Sequence, residues 1–121
     1  MEKTYHIYKY QDLIETLLDS AIASERCANK SQQDNIMQRC MQLNRDAVEL
    51  FKQAVKLLKH ESEITPQYVT LCEEMSKMCI EECNTNMNID YVRACADACS
   101  RCAEACKTFR LSMLSPKLSV A

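Results

Sequence analysis

The spacing of the cysteines in the second half of the chain constrains the fold most strongly. From Cys95 to Cys106, four cysteines are separated by four, three and four residues, which places their side chains on one face of an α-helix. The same spacing recurs from Cys72 to Cys83, with Ser76 at the second position. Each stretch therefore predicts a helix whose small, mostly sulfur-bearing side chains face a protein core.

Composition favours helices throughout the chain. Glycine is absent and proline occurs only twice in 121 residues, so the turn residues that a many-stranded sheet needs are missing. Hydrophobic residues make up 47% and charged residues 26%, which is typical of a globular chain long enough for one modest core. These features predict an all-α class and a single domain over residues 1–121.

Hydrophobic periodicity divides the chain into four amphipathic segments. It predicts helices over residues 8–29, 32–60, 66–85 and 90–113, with residues 114–121 as a flexible tail. Short polar connections make consecutive helices antiparallel, which gives an up-down-up-down four-helix bundle of ferritin-like layout. In the hairpin formed by the last two helices, a single register pairs Cys83 with Cys95 and Cys79 with Cys99. Apolar core packing is expected at Leu13, Leu17, Leu43, Leu50, Leu57 and Phe109.

A seam of thiols inside helices favours a particular metal chemistry. Thiolate is a soft ligand suited to Cu(I), and cysteines one turn apart on facing helices supply two or three sulfurs to an ion. Structural zinc sites draw their ligands from short knuckles, and iron–sulfur clusters from loop-borne C-x2-C runs, neither of which is present. Any single buried cysteine is more often a small hydrophobic residue, but nine together favour metal binding.

Several other classes of function are disfavoured. A net charge of -2 with both signs interspersed offers no basic surface for nucleic acid or for anionic lipid. Neither a signal peptide nor a run of membrane-spanning length is evident, which predicts a cytoplasmic protein. No Ser-His-Asp or Cys-His arrangement is recognisable, so an enzyme is not expected.

Three segments carry a resemblance to a known family. The chain resembles the cysteine-rich four-helix-bundle copper storage proteins in CADACSRCAEAC (95–106), LCEEMSKMCIEEC (71–83) and RCMQLNRDA (39–47). This resemblance implies non-catalytic storage or buffering of several Cu(I) ions, with copper ions as the partner and a homo-oligomer as a possible assembly. The copper ligands that it implies are Cys27, Cys40, Cys72, Cys79, Cys83, Cys95, Cys99, Cys102 and Cys106.

The sequence also departs from the family pattern in its core. Family members often have further cysteines at positions where this chain has Ser20, Ser24, Ser31, Ala47, Phe51, Ser76 and Val92. Most of the metal is therefore expected between the last two helices. Met37, Met41 and Met87 lie near the same end of the predicted bundle and are candidates for passing Cu(I) inward through their thioethers.

Two alternatives remain open at this stage. Cys79-x3-Cys83 and Cys95-x3-Cys99 form a twin C-x3-C pattern, which is similar to that of disulfide-stapled helical hairpins such as the small chaperones of the mitochondrial intermembrane space. The odd number of cysteines disfavours this interpretation. The second alternative is a structural bundle that has lost its metal chemistry.

Overall fold

The chain forms four long helices. The computed structural model describes residues 8–35 and 38–120, with side chains described up to Leu114. Its helices are α1 (Gln11–Asp34), α2 (Gln38–His60), α3 (Thr65–Cys83) and α4 (Asp90–Val120), and a 3-10 turn at Asn84–Asn86 follows α3. No strand occurs within these described ranges, which confirms the predicted all-α class. None of the described helices is both long enough and apolar enough to cross a membrane.

The helices pack as an up-down-up-down bundle. Helix α1 packs against α2 and α4, and α3 packs against the same two neighbours, so the four helices occupy the corners of a square. The α1–α2 and α3–α4 connections lie together at one end of the bundle, which we call the loop end. This arrangement confirms the predicted antiparallel four-helix architecture.

The connection between the first two helices lies later in the sequence than predicted. The second helix was predicted to begin at residue 32, but α1 continues through Ser31 and ends at Asp34. Asn35 terminates α1 in the left-handed conformation with φ 55°, and its backbone N–H donates to the Gln32 and Ser31 carbonyls. The predicted end at residue 29 and start at residue 32 are corrected accordingly. Asparagine supports this turn because it tolerates positive φ better than most residues do.

The opposite end is closed by a tight turn and by aromatic packing. Helix α2 ends with Glu61 at φ 52°, and the Glu61 and Ser62 N–H groups donate to the Leu58 and Leu57 carbonyls. Helix α3 then starts with proline in its first turn, as predicted. Tyr10 packs edge-on against Phe109 with ring centroids 5.2 Å apart.

Two further differences concern helix α4 and the outer surface. The α4 backbone continues as helix to Val120, whereas a flexible tail was expected from residue 114. Glu73 is only 2% exposed, although acidic side chains usually lie on the solvated surface. Its carboxylate accepts hydrogen bonds from Arg110 Nε at 2.9 Å and Nη2 at 3.0 Å, which compensates its burial.

The core face of α2 is rotated slightly from the predicted one. Phe51 and Leu58 are fully buried, whereas Leu50 and Leu57, which were predicted in the core, are only partly buried. A strict heptad pattern predicts one buried position per helical turn. The apolar face of α2 is wider, so neighbouring positions such as Phe51 and Leu58 are buried as well. The predicted core positions on α1, α3 and the central part of α4 are buried as expected.

Candidate metal centre

All nine cysteines lie in the core with free thiols. None is more than 1% exposed, and no disulfide joins any of them. The helical spacing explains this placement, because each cysteine falls on the inward face of its helix. The nine thiols occupy successive levels along the bundle axis, from the loop end to about one helical turn from Phe109 at the opposite end.

Four thiols, one from each helix, meet near the loop end. We call Cys27, Cys40, Cys83 and Cys95 the four-thiol group. Cys27 is hydrogen-bonded by the other three, first Cys40, then Cys83 and Cys95, and these bonds lower the pKa of its thiol below the ordinary value. The contact with Cys27 raises the pKa of Cys40 to about 12 and is also the largest reason why the pKa of Cys83 is raised. Contacts within the group therefore favour the thiolate form at Cys27 over that at Cys40 and Cys83.

A second set of thiols continues from this group into the bundle. Cys95 contacts Cys99 on its own helix, and Cys99 contacts Cys79 across the α3–α4 hairpin. The contact with Cys79 is the largest reason why the pKa of the Cys99 thiol is raised. The predicted register of this hairpin thus brings together the thiols that it paired.

The deepest thiols are Cys72, Cys102 and Cys106. Cys102 accepts a hydrogen bond from Cys106, which lowers its pKa to about 7, and the same bond raises the pKa of Cys106. Burial raises the pKa of Cys72 to about 12, and its thiol donates to the Leu50 carbonyl at 3.5 Å. Beyond these three thiols the core becomes apolar, with Val69 and Leu58 fully buried.

Buried serines share these levels with the thiols but use most of their hydrogen-bonding capacity elsewhere. Ser20 donates to the Ala98 carbonyl at 3.1 Å, and Ser76 donates to the Cys72 carbonyl at 2.8 Å. Ser24 lies 3.8 Å from the Cys95 sulfur. Hydroxyl oxygen is a harder ligand than sulfur, so these serines separate the thiols without extending a soft ligand set.

Asn44 is a member of the site that the sequence analysis missed. Its side chain is fully buried; Nδ2 donates to the Cys40 carbonyl at 2.9 Å and to Cys40 Sγ at 3.3 Å. Its Oδ1 accepts a hydrogen bond from the Cys95 thiol at 3.1 Å. Asn44 therefore links α2 to α4 across the diagonal of the bundle. Its position four residues after Cys40, on the inward face, was the available signal.

The methionines of the loop end are less deeply placed than the thiols. Met41 and Met87 are partly buried, and Met87 packs against the core. Met37 lies outside the described residues. A thioether at the loop end would be a soft donor at the boundary between solvent and the four-thiol group.

The arrangement is a connected series of thiols and not a finished coordination shell. Within residues 8–35 and 38–120, no group of three or more Cys, His, Asp or Glu side chains has the geometry of a ready metal site. The thiols nevertheless contact one another from Cys27 through to Cys99 and again from Cys102 to Cys106. Such a series can bind soft ions after small rotamer changes, with release of the thiol protons.

Comparisons with known proteins point to one family. The family model described as "Copper storage protein" matches residues 6–111. A Cu(I)-bound copper storage protein, BsCsp3, has 28% sequence identity and a TM-score of 0.77, covering 82% of this chain and 96% of its own. Metal-free Csp3 from Bacillus subtilis has 28% identity and a TM-score of 0.75, covering 81% of this chain and 95% of its own. A search of curated proteins gave no match.

Proposed function

The chain belongs to the copper storage protein family, and on this basis we propose that it binds and stores several Cu(I) ions through the thiolates of its core. The observation that carries the proposal is the series of nine buried free thiols in a bundle whose fold matches that of a Cu(I)-bound protein. Storage in this form requires no reaction of the Cu(I) ion other than its exchange for thiol protons. The proposed role is therefore non-catalytic.

We assign the ligand role to the thiols as a set. The proposed ligands are Cys27, Cys40, Cys72, Cys79, Cys83, Cys95, Cys99, Cys102 and Cys106. Nine thiolates without metal would be prohibitively costly in a core, so the empty protein holds mostly neutral thiols. Each bound Cu(I) replaces protons, and the positive ion compensates the thiolate charge.

The binding capacity is proposed to be uneven between the two hairpins. Seven of the nine cysteines lie on α3 and α4, while α1 and α2 supply only Cys27 and Cys40. The hydroxyls of Ser20 and Ser24 occupy the remaining α1 levels. The α3–α4 hairpin is therefore expected to carry most of the copper.

Location and assembly follow from the same chemistry. We propose a cytoplasmic protein because thiols are kept reduced in that compartment. A homo-oligomer is proposed because apolar side chains such as Ile22, which is 67% exposed, lie on the outer surface. The net charge of -2 supports copper ions, and neither nucleic acid nor a membrane, as the partner.

An anaerobic Cu(I) titration tests the proposal directly. Reduced protein is titrated with Cu(I) in the presence of a chromophoric chelator, and free thiols are counted at each step. We expect copper to be withdrawn from the chelator while thiol reactivity falls in parallel. If all nine thiols stay reactive and the chelator keeps the metal, the proposed function is wrong.

Paired substitutions test how the copper is distributed. Cys79→Ala/Cys99→Ala and Cys27→Ala/Cys40→Ala remove the same number of thiols, which makes them matched variants. The first pair is expected to lose more copper, because its thiols lie between the four-thiol group and the deepest thiols. Equal losses from the two variants, with helical content unchanged by circular dichroism, would contradict the uneven distribution.

The disulfide alternative makes an opposite prediction about folding. The reduced, metal-free chain is expected to be helical and to unfold cooperatively, because apolar packing at Leu17, Phe51 and Phe109 stabilises the bundle. A disulfide-dependent hairpin would lose about 2 to 5 kcal/mol per missing bridge. A reduced chain that is unfolded and recovers only on oxidation would favour that alternative.

A further inference from the structure

The four-thiol group is covered at the loop end by a layer that contains an aromatic ring. Tyr91 precedes Cys95 by one helical turn on α4, and Ser31 follows Cys27 by one turn on α1. Both side chains are therefore one level closer to the loop end than the thiols. Tyr91 is only 5% exposed and Ser31 is fully buried.

A hydrogen bond across the bundle holds the ring in this layer. The Tyr91 hydroxyl donates to Asp34 Oδ2 at 2.7 Å, which joins the first turn of α4 to the last residue of α1. A phenol bound to a carboxylate makes a strong, charge-assisted bond. Asp34 itself is exposed to solvent, so water competes for the carboxylate whenever the bond breaks.

The layer covers the four-thiol group, but its hydrogen bonding is incomplete. Ser31 Oγ is buried beside the Tyr91 side chain and the Cys27 thiol, and it has no hydrogen-bond partner among the residues that the structure describes. A buried hydroxyl without a partner destabilises the state that buries it. Movement of the tyrosine ring away from the bundle would admit water to this hydroxyl and expose the thiol behind it.

At the opposite end, the residues that the structure describes form an apolar layer. There the core ends in Tyr10 packed against Phe109, above fully buried Leu17, Leu58 and Val69. About one helical turn separates Phe109 from Cys106, and Val69 from Cys72, so an ion entering there would pass this apolar layer before it reached sulfur.

From these observations we propose that Tyr91, held by Asp34, is a removable cap that sets the rate at which Cu(I) enters and leaves the four-thiol group. This inference rests on the proposed storage function and adds an access-controlling residue to it. Tyr91 is not a copper ligand in this proposal, since a phenol oxygen is a poor donor to a soft ion. Tyr91 therefore changes the rates at which Cu(I) enters and leaves, and it does not change the number of ions bound.

Stopped-flow exchange measurements test the cap. Copper-loaded protein is mixed anaerobically with excess Cu(I) chelator, and the release rate is followed for the wild type, Tyr91→Phe, Asp34→Asn and Tyr91→Ala. Tyr91→Phe keeps the ring but removes the bond, so release is expected to accelerate roughly threefold to tenfold. Tyr91→Ala removes the cap and is expected to accelerate release by more than about tenfold. The total copper bound is expected to stay at the wild-type value in all variants.

Tyr10→Ala is the matched control, because it removes a tyrosine ring from the opposite end of the same bundle. Its release rate is expected to stay within about twofold of the wild type. Equal acceleration by Tyr10→Ala and Tyr91→Ala would indicate general loosening and overturn the cap. Unchanged rates in the Tyr91 variants with normal capacity would also overturn it, while leaving storage intact. A wild type that binds no copper would instead refute the proposed function and the cap with it.

Discussion

Asn44 offers the sharpest test of how the empty core is stabilised. Its amide accepts the Cys95 thiol proton at 3.1 Å and donates to Cys40 Sγ at 3.3 Å, so one side chain joins two helices that lie diagonally across the bundle. Asn44→Leu keeps the branched shape of the side chain, adds a small volume and removes these bonds. The buried Cys95 thiol then keeps its contacts with the neighbouring thiols and with Ser24, whose oxygen is 3.8 Å from the sulfur, but it loses its amide acceptor.

The expected cost follows from the number and kind of bonds. A neutral hydrogen bond contributes about 0.5–1.5 kcal/mol to stability, and bonds to sulfur fall near the lower end of this range. The Cys40 carbonyl keeps its helical partner, so the bond from Asn44 Nδ2 adds little beyond this. Asn44→Leu is therefore expected to destabilise the metal-free protein by about 1–2 kcal/mol. For a chain of this length that corresponds to a melting temperature lower by roughly 3–10 °C.

A double-mutant cycle isolates the Asn44–Cys95 bond from packing changes. Chemical denaturation of the wild type, Asn44→Leu, Cys95→Ala and the double variant should give a coupling of about 0.5–1 kcal/mol. The matched cycle of Ser24→Ala with Cys95→Ala should give a coupling close to zero, because that contact is too long for a strong bond. A coupling for Asn44 no larger than that for Ser24 would refute the reasoning.

Three further predictions concern acid stability, core packing and metal. Arg110 holds the pKa of the Glu73 carboxyl below its ordinary value through hydrogen bonds, with Lys77 adding a smaller contribution. Its stabilising effect is thus fully present above the unfolded carboxyl pKa and is lost as pH falls through the lower folded pKa. Glu73→Gln should flatten the decline of melting temperature below about pH 4.5 and leave its slope at higher pH unchanged; an unchanged acid decline would contradict this. Phe51→Ala removes a fully buried ring and should cost about 3–5 kcal/mol in urea denaturation of the reduced, metal-free protein, whereas a loss below about 1 kcal/mol would mean that the core does not depend on this ring. Free Cu(I) at about 100 times its dissociation constant should raise the free energy of unfolding by about 2.7 kcal/mol, and an unchanged melting temperature would contradict binding to the native state.

The thiol core could be predicted from the sequence because its signal is periodic. A four-three-four spacing determines which face of a helix each cysteine occupies, and a constant register between α3 and α4 then determines that Cys79 faces Cys99. Helix boundaries were less predictable. Ser31 and Asp34 resemble an N-cap sequence, yet Asn35 provides the left-handed residue that ends α1 after them. Short capping sequences of this kind occur both at helix ends and inside helices. Packing against the neighbouring helices then determines where the helix ends.

Polar residues of the core were the hardest to predict. Asn44 and Glu73 are residue types that usually lie on the surface, so their burial depends on partners supplied by distant parts of the chain. Cys95 lies 51 residues from Asn44, and Arg110 lies 37 residues from Glu73. A pattern within one helix carries no information about such a partner. The difference between Leu50 and Phe51 likewise arises from how α2 rotates to bury its larger side chain.

The buried serines have a consequence for how such a protein can vary. Ser20 and Ser76 already lie on inward faces, and their hydroxyls bond to backbone carbonyls of the bundle itself. Exchanging oxygen for sulfur at such a position changes one atom and leaves the helix, its register and its neighbours in place. The amount of metal that the bundle can hold is thus separable from its architecture, and it can be raised or lowered one inward position at a time while the same fold persists.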